Sequence, residues 1–174
     1  MVKERLFYML VAGFSLLACS DPGHKIFIPE GKNFSIVMPC KPKTQRESST
    51  FKDYIVQSSL YRCNGPGYVY IVTYSEYPLD IYKEYSAQEL MAEVVKHIEY
   101  ADPPLEFISK KPLNIAGIKG VEIRSRILSP RALYKSVIFY AGDGIYQVTY
   151  SAKKGLFDSP RADAFFASIR FTRQ

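Results

Sequence analysis

Gly142-Asp143-Gly144 separates two runs, residues 133–140 and 145–150, that are rich in Val, Ile, Phe and Tyr. Glycine supplies the backbone geometry a tight two-residue loop needs, so this spacing predicts a β-hairpin. A loop at Gly142-Asp143 pairs Phe139 with Tyr146 and Val137 with Val148. A loop at Asp143-Gly144 pairs Phe139 with Val148 and Val137 with Tyr150. Successive strand residues point to opposite faces. Either loop therefore puts Val137, Phe139, Tyr146, Val148 and Tyr150 on one face, with Tyr134, Ser136, Ile138 and Tyr140 on the other. Residues 121–128 alternate too, with Val121, Ile123 and Ile127 against Glu122, Arg124 and Arg126. A turn at Ser129-Pro130-Arg131 would set Ile123 against Val137 and Arg126 against Tyr134. On that register Arg124, Arg126, Tyr134 and Tyr140 share the wet face. They form a candidate interaction face, because Tyr and Arg dominate interface hot spots. The plainer reading is a solvated sheet face on which Arg stems cover Tyr rings.

The rest of the chain reads as one domain of strands with two helices. Residues 34–38 predict a first strand, 54–61 a second and 68–74 a third, the last two joined at Asn64-Gly65-Pro66-Gly67. Residues 41–51 are polar and read as a solvated loop. Ser86 followed by Glu89 is a capping box. Leu90, Met91, Val94, Val95 and Ile98 then recur at helical spacing, and Asp102-Pro103-Pro104 ends the helix. Residues 105–108 predict another strand, and Gly117 marks a turn before the alternating stretch. Ser159-Pro160 opens a last helix, with Phe165, Phe166 and Ile169 as its buried face, before Phe171 returns to a sheet edge.

The N-terminus gives an address. Lys3 and Arg5 precede an apolar run over residues 6–17, and Leu16-Leu17-Ala18-Cys19 has the form of a bacterial lipobox. As a helix, residues 6–19 reach roughly 21 Å at about 1.5 Å per residue. A bilayer core is about 30 Å thick, so the segment is short for a span. A cleaved signal without lipid is the remaining alternative. The expected organisation is a signal peptide over residues 1–18, a lipid-anchored tether over 19–25 and one domain over 26–174. Lipidation falls on Cys19. Ser20 in place of Asp points to the outer membrane in enteric-type bacteria, with the domain at its periplasmic face.

Composition limits the function classes. The 174 residues include 14 Tyr, 11 Phe and no Trp, an excess that suits half-buried strands. A formal net charge of +6 favours anionic surfaces, but no nucleic-acid motif accompanies it. Apart from Cys19, Cys40 and Cys63 remain. In an exported chain an even remainder reads as a disulfide, the alternative being two buried free thiols. The pairing requires the intervening stretch to double back. Two histidines, His24 and His97, do not make a metal set. No Gly-x-Ser-x-Gly elbow, phosphate loop or dinucleotide fingerprint is present. We therefore expect no catalytic residues, metal or cofactor.

Phe34-Ser35-Ile36-Val37-Met38-Pro39-Cys40-Lys41-Pro42, the alternating Tyr68, Tyr70, Val72 and Tyr74, and the ending Phe165-Phe166-Ala167-Ser168-Ile169 with Phe171 resemble small exported bacterial domains of the PsbP-like family. PsbP itself is the extrinsic subunit of the oxygen-evolving complex. The resemblance implies an α+β fold, a central antiparallel β-sheet flanked by helices in an α-β-α sandwich. It also implies a binding or assembly role without catalysis. Some similar proteins carry the Pro-Cys-x-Pro and Tyr-x-Cys cysteines together, which supports the Cys40–Cys63 pair. The expected function is a lipid-anchored envelope protein that binds or assembles a membrane or periplasmic complex through an unidentified envelope partner. The alternatives are a structural or surface-exposed lipoprotein without a defined ligand, and a hydrolase on an unrecognised site.

Overall fold

A computed structural model describes residues 25–99, 105–115, 117–127, 132–142 and 144–171. Its elements in chain order are β1 (Lys25–Phe27), β2 (Phe34–Met38), β3 (Lys43–Phe51), β4 (Tyr54–Gly65) and β5 (Tyr68–Glu76). Then come α1 (Ile81–Glu84), α2 (Ala87–Glu99), β6 (Glu106–Ile115), β7 (Ile118–Ile127), β8 (Ala132–Tyr140), β9 (Ile145–Lys153), α3 (Pro160–Ala167) and β10 (Arg170–Phe171). The signal segment, Cys19, His24, the helix stop at Asp102-Pro103-Pro104 and the turn at Ser129-Pro130-Arg131 lie outside the described residues.

Seven strands form one antiparallel sheet of order β3-β4-β5-β9-β8-β7-β6, and three more form a small sheet of order β1-β2-β10. Strands hold 57% and helices 18% of the described residues. This corrects the expected α-β-α sandwich of a sheet flanked by helices. One face of the large sheet is closed chiefly by the small sheet, with α3 beside it, so β on β is the dominant layering there. Two polar stretches supply the extra strand. Residues 41–51, expected to be a loop, contain β3, whose side chains are almost all exposed. An edge strand wet on both faces carries no apolar alternation, so periodicity cannot reveal it. Strand β6 runs through Pro112, which an edge strand tolerates.

The sheet separates two cores. On the first face, Phe34, Ile36 and Met38 of β2 pack with Val72, Phe139 and Val148, closed by Phe165 and Ile169 at and after α3. On the second, Leu90 and Val95 of α2 pack on Ile123, Ile138 and Ile145, with Val56, Tyr77 and Ile81 around them. Helix α2 begins at the expected capping box. The Ser86 backbone N–H donates to Glu89 Oε2 at 2.7 Å, and the Glu89 N–H donates to Ser86 Oγ at 3.3 Å. The Ser86 N–H, together with the Ser86 hydroxyl donating to the same Glu89 oxygen at 2.8 Å, holds the Glu89 carboxyl below the usual carboxylate range. Ser159 occupies the N-cap position of α3, without a side-chain cap hydrogen bond, and Pro160 opens the helix, as the sequence predicts.

The hairpin at Gly142 uses the first of the two expected registers, with Phe139 opposite Tyr146 and Val137 opposite Val148. Gly142 takes φ 83°, and the Ala141 N–H donates to the Gly144 carbonyl at 3.2 Å. The neighbouring pair departs from expectation. Ile123 stands opposite Ser136 and Arg126 opposite Leu133, one residue away from the predicted register. A one-residue slip exchanges the faces of a strand. Val121, Ile123 and Ile127 therefore join the α2 side, and Glu122, Arg124 and Arg126 join the Val137 and Phe139 side.

Cys40 and Cys63 form a disulfide, with their Cα atoms 5.9 Å apart. The β3–β4 hairpin brings them together by placing Lys43 opposite Arg62 and folding the intervening residues back. Cys63 is fully buried against the first core, so the bond pins the end of β2 to the sheet.

Candidate interaction surfaces

The four residues expected to form one interaction face are split between the two faces of the sheet. Tyr134 and Tyr140 stay with Ser136 and Ile138, as parity requires, while Arg124 and Arg126 project from the other side. The face expected to be wet is a second core: Ser136 is 5% exposed and Ile138 fully buried. Ser136 Oγ and Thr149 Oγ1 satisfy one another at 2.9 Å across the strands. Tyr140 donates its hydroxyl to the Gly142 carbonyl at 2.9 Å, and its ring lies 5.6 Å from that of Tyr82.

The arginines are engaged with carboxylates rather than with tyrosine rings. Arg126 donates Nε and Nη2 to the two oxygens of Glu106, each at 2.7 Å. This bidentate pairing raises the Arg126 pKa and holds Glu106 below the usual carboxylate range. Arg124 Nε donates to Glu122 at 3.2 Å, and Lys135 Nζ lies 3.5 Å from the other oxygen of Glu122. Lys135 also sits 4.6 Å above the Phe166 ring, which ties this polar strip to α3. The arrangement staples β6, β7, β8 and α3 together.

Three concave surfaces bring together residues that the sequence reading did not group. A groove of about 580 Å³ runs between α2 and the β6–β7 hairpin, with Met91, Ala92, Pro112, Leu113 and Val121 inside it and Lys110 and Lys119 at its rim. A cleft of about 640 Å³ lies between the loop after β1 and the surface of β3, β4 and β5. There Lys32 Nζ donates to Tyr74 Oη at 2.8 Å and lies 3.6 Å from Glu76, and Phe27 packs on Tyr61 with ring centroids 4.8 Å apart. A third cleft, of about 680 Å³, opens at the β4–β5 turn between Arg62, Tyr68, Tyr134, Lys153 and Lys154. The residues of each surface are distant in sequence and meet only through strand order, so no local signal marks them. Among the described residues, no group of three or more His, Cys, Asp or Glu is placed to hold a metal ion. His97 is exposed on α2.

The strand order, the small sheet and the helices α2 and α3 on opposite faces of the large sheet belong to a PsbP-like fold. The solution structure of cyanobacterial PsbP (CyanoP) from Synechocystis sp. PCC 6803 matches with a TM-score of 0.57 at 12% identity, over 86% of this chain and 92% of that one. The crystal structure of a Pseudomonas aeruginosa protein of unknown function matches with a TM-score of 0.51 at 9% identity, over 87% of this chain and 99% of that one. At these identities the likeness is one of fold alone. No family model and no curated protein matches the sequence.

Proposed function

We propose that the protein is a non-catalytic, lipid-anchored component of the bacterial cell envelope that binds or helps assemble a membrane or periplasmic complex. Cys19 carries the lipid, and the domain sits at the periplasmic face of the outer membrane. The observation that carries this reading is the Cys40–Cys63 bond. Disulfides persist in oxidising compartments, which is where a chain with a Leu16-Leu17-Ala18-Cys19 lipobox would be delivered. The α2/β6–β7 groove is the surface we assign to the partner. Its apolar floor and the Lys110 and Lys119 rim suit an apolar segment flanked by acidic residues.

Purification from detergent-solubilised envelope tests the proposal. A lipid-modified Cys19 and a stoichiometric envelope partner are expected. Ala92→Arg, at an exposed helix position inside the groove, should release the partner while the far-UV spectrum stays native. An unmodified Cys19 overturns the anchor. A partner list identical for wild type and Ala92→Arg overturns the groove assignment, and an empty list overturns the binding role.

A further inference from the structure

The charges of the domain are segregated along the strands. At the end of the large sheet that holds the Pro66-Gly67 turn, Arg62, Lys153 and Lys154 line one cleft with Tyr68 and Tyr134. Lys43 stands opposite Arg62 in register, and Lys41 follows Cys40, which is bonded to Cys63 three residues before Pro66. Arg161 points an Nη to Tyr68 Oη at 3.5 Å. Carboxylates lie near this end as well: Glu106 is held by Arg126, Asp158 lies in the connection after β9, and Asp163 follows Arg161 in the first turn of α3. Leu156 is 44% exposed in the same connection, with its side chain beside Gly67. The opposite end carries Asp53, Glu76, Asp80, Glu84 and Glu89, against Lys32, Lys52, Lys83 and Lys119.

The chain enters the fold at the basic end. Lys25 pairs with Met38, two residues before Cys40. Cys19 precedes Lys25 by six residues, which span at most about 21 Å at about 3.5 Å per residue. A lipid on Cys19 therefore holds the bilayer within reach of this end.

We propose that the basic end, centred on Arg62, Lys153 and Lys154 with Lys41 and Lys43 beside them, docks on a lipid surface carrying anionic headgroups. This rests on the anchored reading above and adds to it an orientation: the Pro66-Gly67 turn faces the bilayer, and the acidic end faces away. Basic residues close to an anionic leaflet each strengthen association about fivefold, and a cluster is needed because screening confines the effect to about 10 Å. Leu156 adds an apolar contact to the same patch. The cleft between Arg62, Lys153 and Tyr134 receives headgroup phosphate.

Lysine footprinting by mass spectrometry on the full chain as cells make it tests this. The protein is compared in detergent and in vesicles of phosphatidylcholine with and without phosphatidylglycerol. With anionic vesicles, Lys41, Lys43, Lys153 and Lys154 should become several-fold less reactive, while Lys52 and Lys83 should not change. The protection should disappear in neutral vesicles and in 1 M salt, where the Debye length is about 3 Å. The Lys153→Glu, Lys154→Glu double variant should lose protection at Lys41 and Lys43 as well. Vesicle-bound protein with uniform reactivity, or with Lys52 and Lys83 shielded, overturns the docking surface and leaves the anchor standing. An unmodified Cys19 overturns the anchor, and the docking surface is then decided by whether anionic vesicles alone shield the basic end. Equal protection in neutral and anionic vesicles overturns the requirement for anionic lipid.

Discussion

Ile123 stands directly opposite Ser136 across the β7–β8 pair, which places it under α2 rather than with Val137. Its side chain is 1% exposed. Ile123→Asp would leave an unpaired charge in the second core and should cost more than about 3 kcal/mol, enough to unfold a marginal domain. Arg126 lies on the other face at the sheet margin, paired with Glu106 in open solvent. Arg126→Gln should lower the melting temperature far less than Ile123→Asp, because an exposed ion pair contributes little even when it is bidentate. Thermal melts followed by circular dichroism distinguish the two, and a native-like Ile123→Asp would disprove the burial of Ile123.

The disulfide should carry a measurable share of stability. It closes a loop with a sequence separation of 23, worth about 3.4 kcal/mol in the chain-entropy picture. Replacing both Cys40 and Cys63 by Ser should lower the denaturation midpoint accordingly. Thiol labelling of the denatured, unreduced protein should find neither cysteine free, and two labelled thiols would contradict the bond.

Tyr82 presents the reverse case, a polar atom whose removal should help. Its hydroxyl is buried with no partner at full hydrogen-bonding geometry; burial first, and then the neighbouring Tyr140 hydroxyl, push its pKa well above the ordinary phenol value. An unsatisfied buried hydroxyl costs about 1–3 kcal/mol. Tyr82→Phe keeps the ring contact with Tyr140 and discards that cost, so the variant should melt higher than wild type. A lower melting temperature would mean that the hydroxyl is satisfied in solution.

Alkaline pH should unfold the domain through its core tyrosines. Burial pushes Tyr70 and Tyr77 up to about 12 from 10.0. Between those values the unfolded chain has lost the phenolic protons that the folded chain retains. Stability is therefore fully present below about pH 10 and falls as pH rises toward about 12. Denaturant titrations at successive pH values should show that decline, and Tyr70→Phe should make it shallower. A pH-independent midpoint across this window would exclude the linkage.

Much of the fold is legible in local chemistry. The β8–β9 hairpin follows from Gly142-Asp143-Gly144, and its register is one of two that the spacing allows. The α2 capping box and stripe, the Ser159-Pro160 start of α3 and the pairing of β4 with β5 are equally local. Strand β3 is not legible, because Lys43–Phe51 is polar on both faces and gains its strand geometry from the ladder with β4. The Cys40–Cys63 bond falls between these cases. Compartment and cysteine parity suggested it, but only the returning β3–β4 hairpin brings the Cα atoms to 5.9 Å.

The candidate surface was legible only in part, and the reason is the register between β7 and β8. Alternation along residues 121–128 correctly sorts Val121 and Ile123 from Arg124 and Arg126, and it cannot say which set faces which layer. That choice depends on a single residue of register, and both faces of this sheet are covered. Burial of Ile123 beneath α2 and stapling of Arg124 and Lys135 by Glu122 select the observed pairing. From sequence alone came the periodicity, the turns and the caps, since each depends on residues a few positions apart. The tertiary structure decided the order of the strands, the second β-layer and the gathering of Arg62, Lys153 and Lys154 at one end. Those relations arise from cross-strand packing and hydrogen bonding between segments tens of residues apart, and no local pattern encodes them.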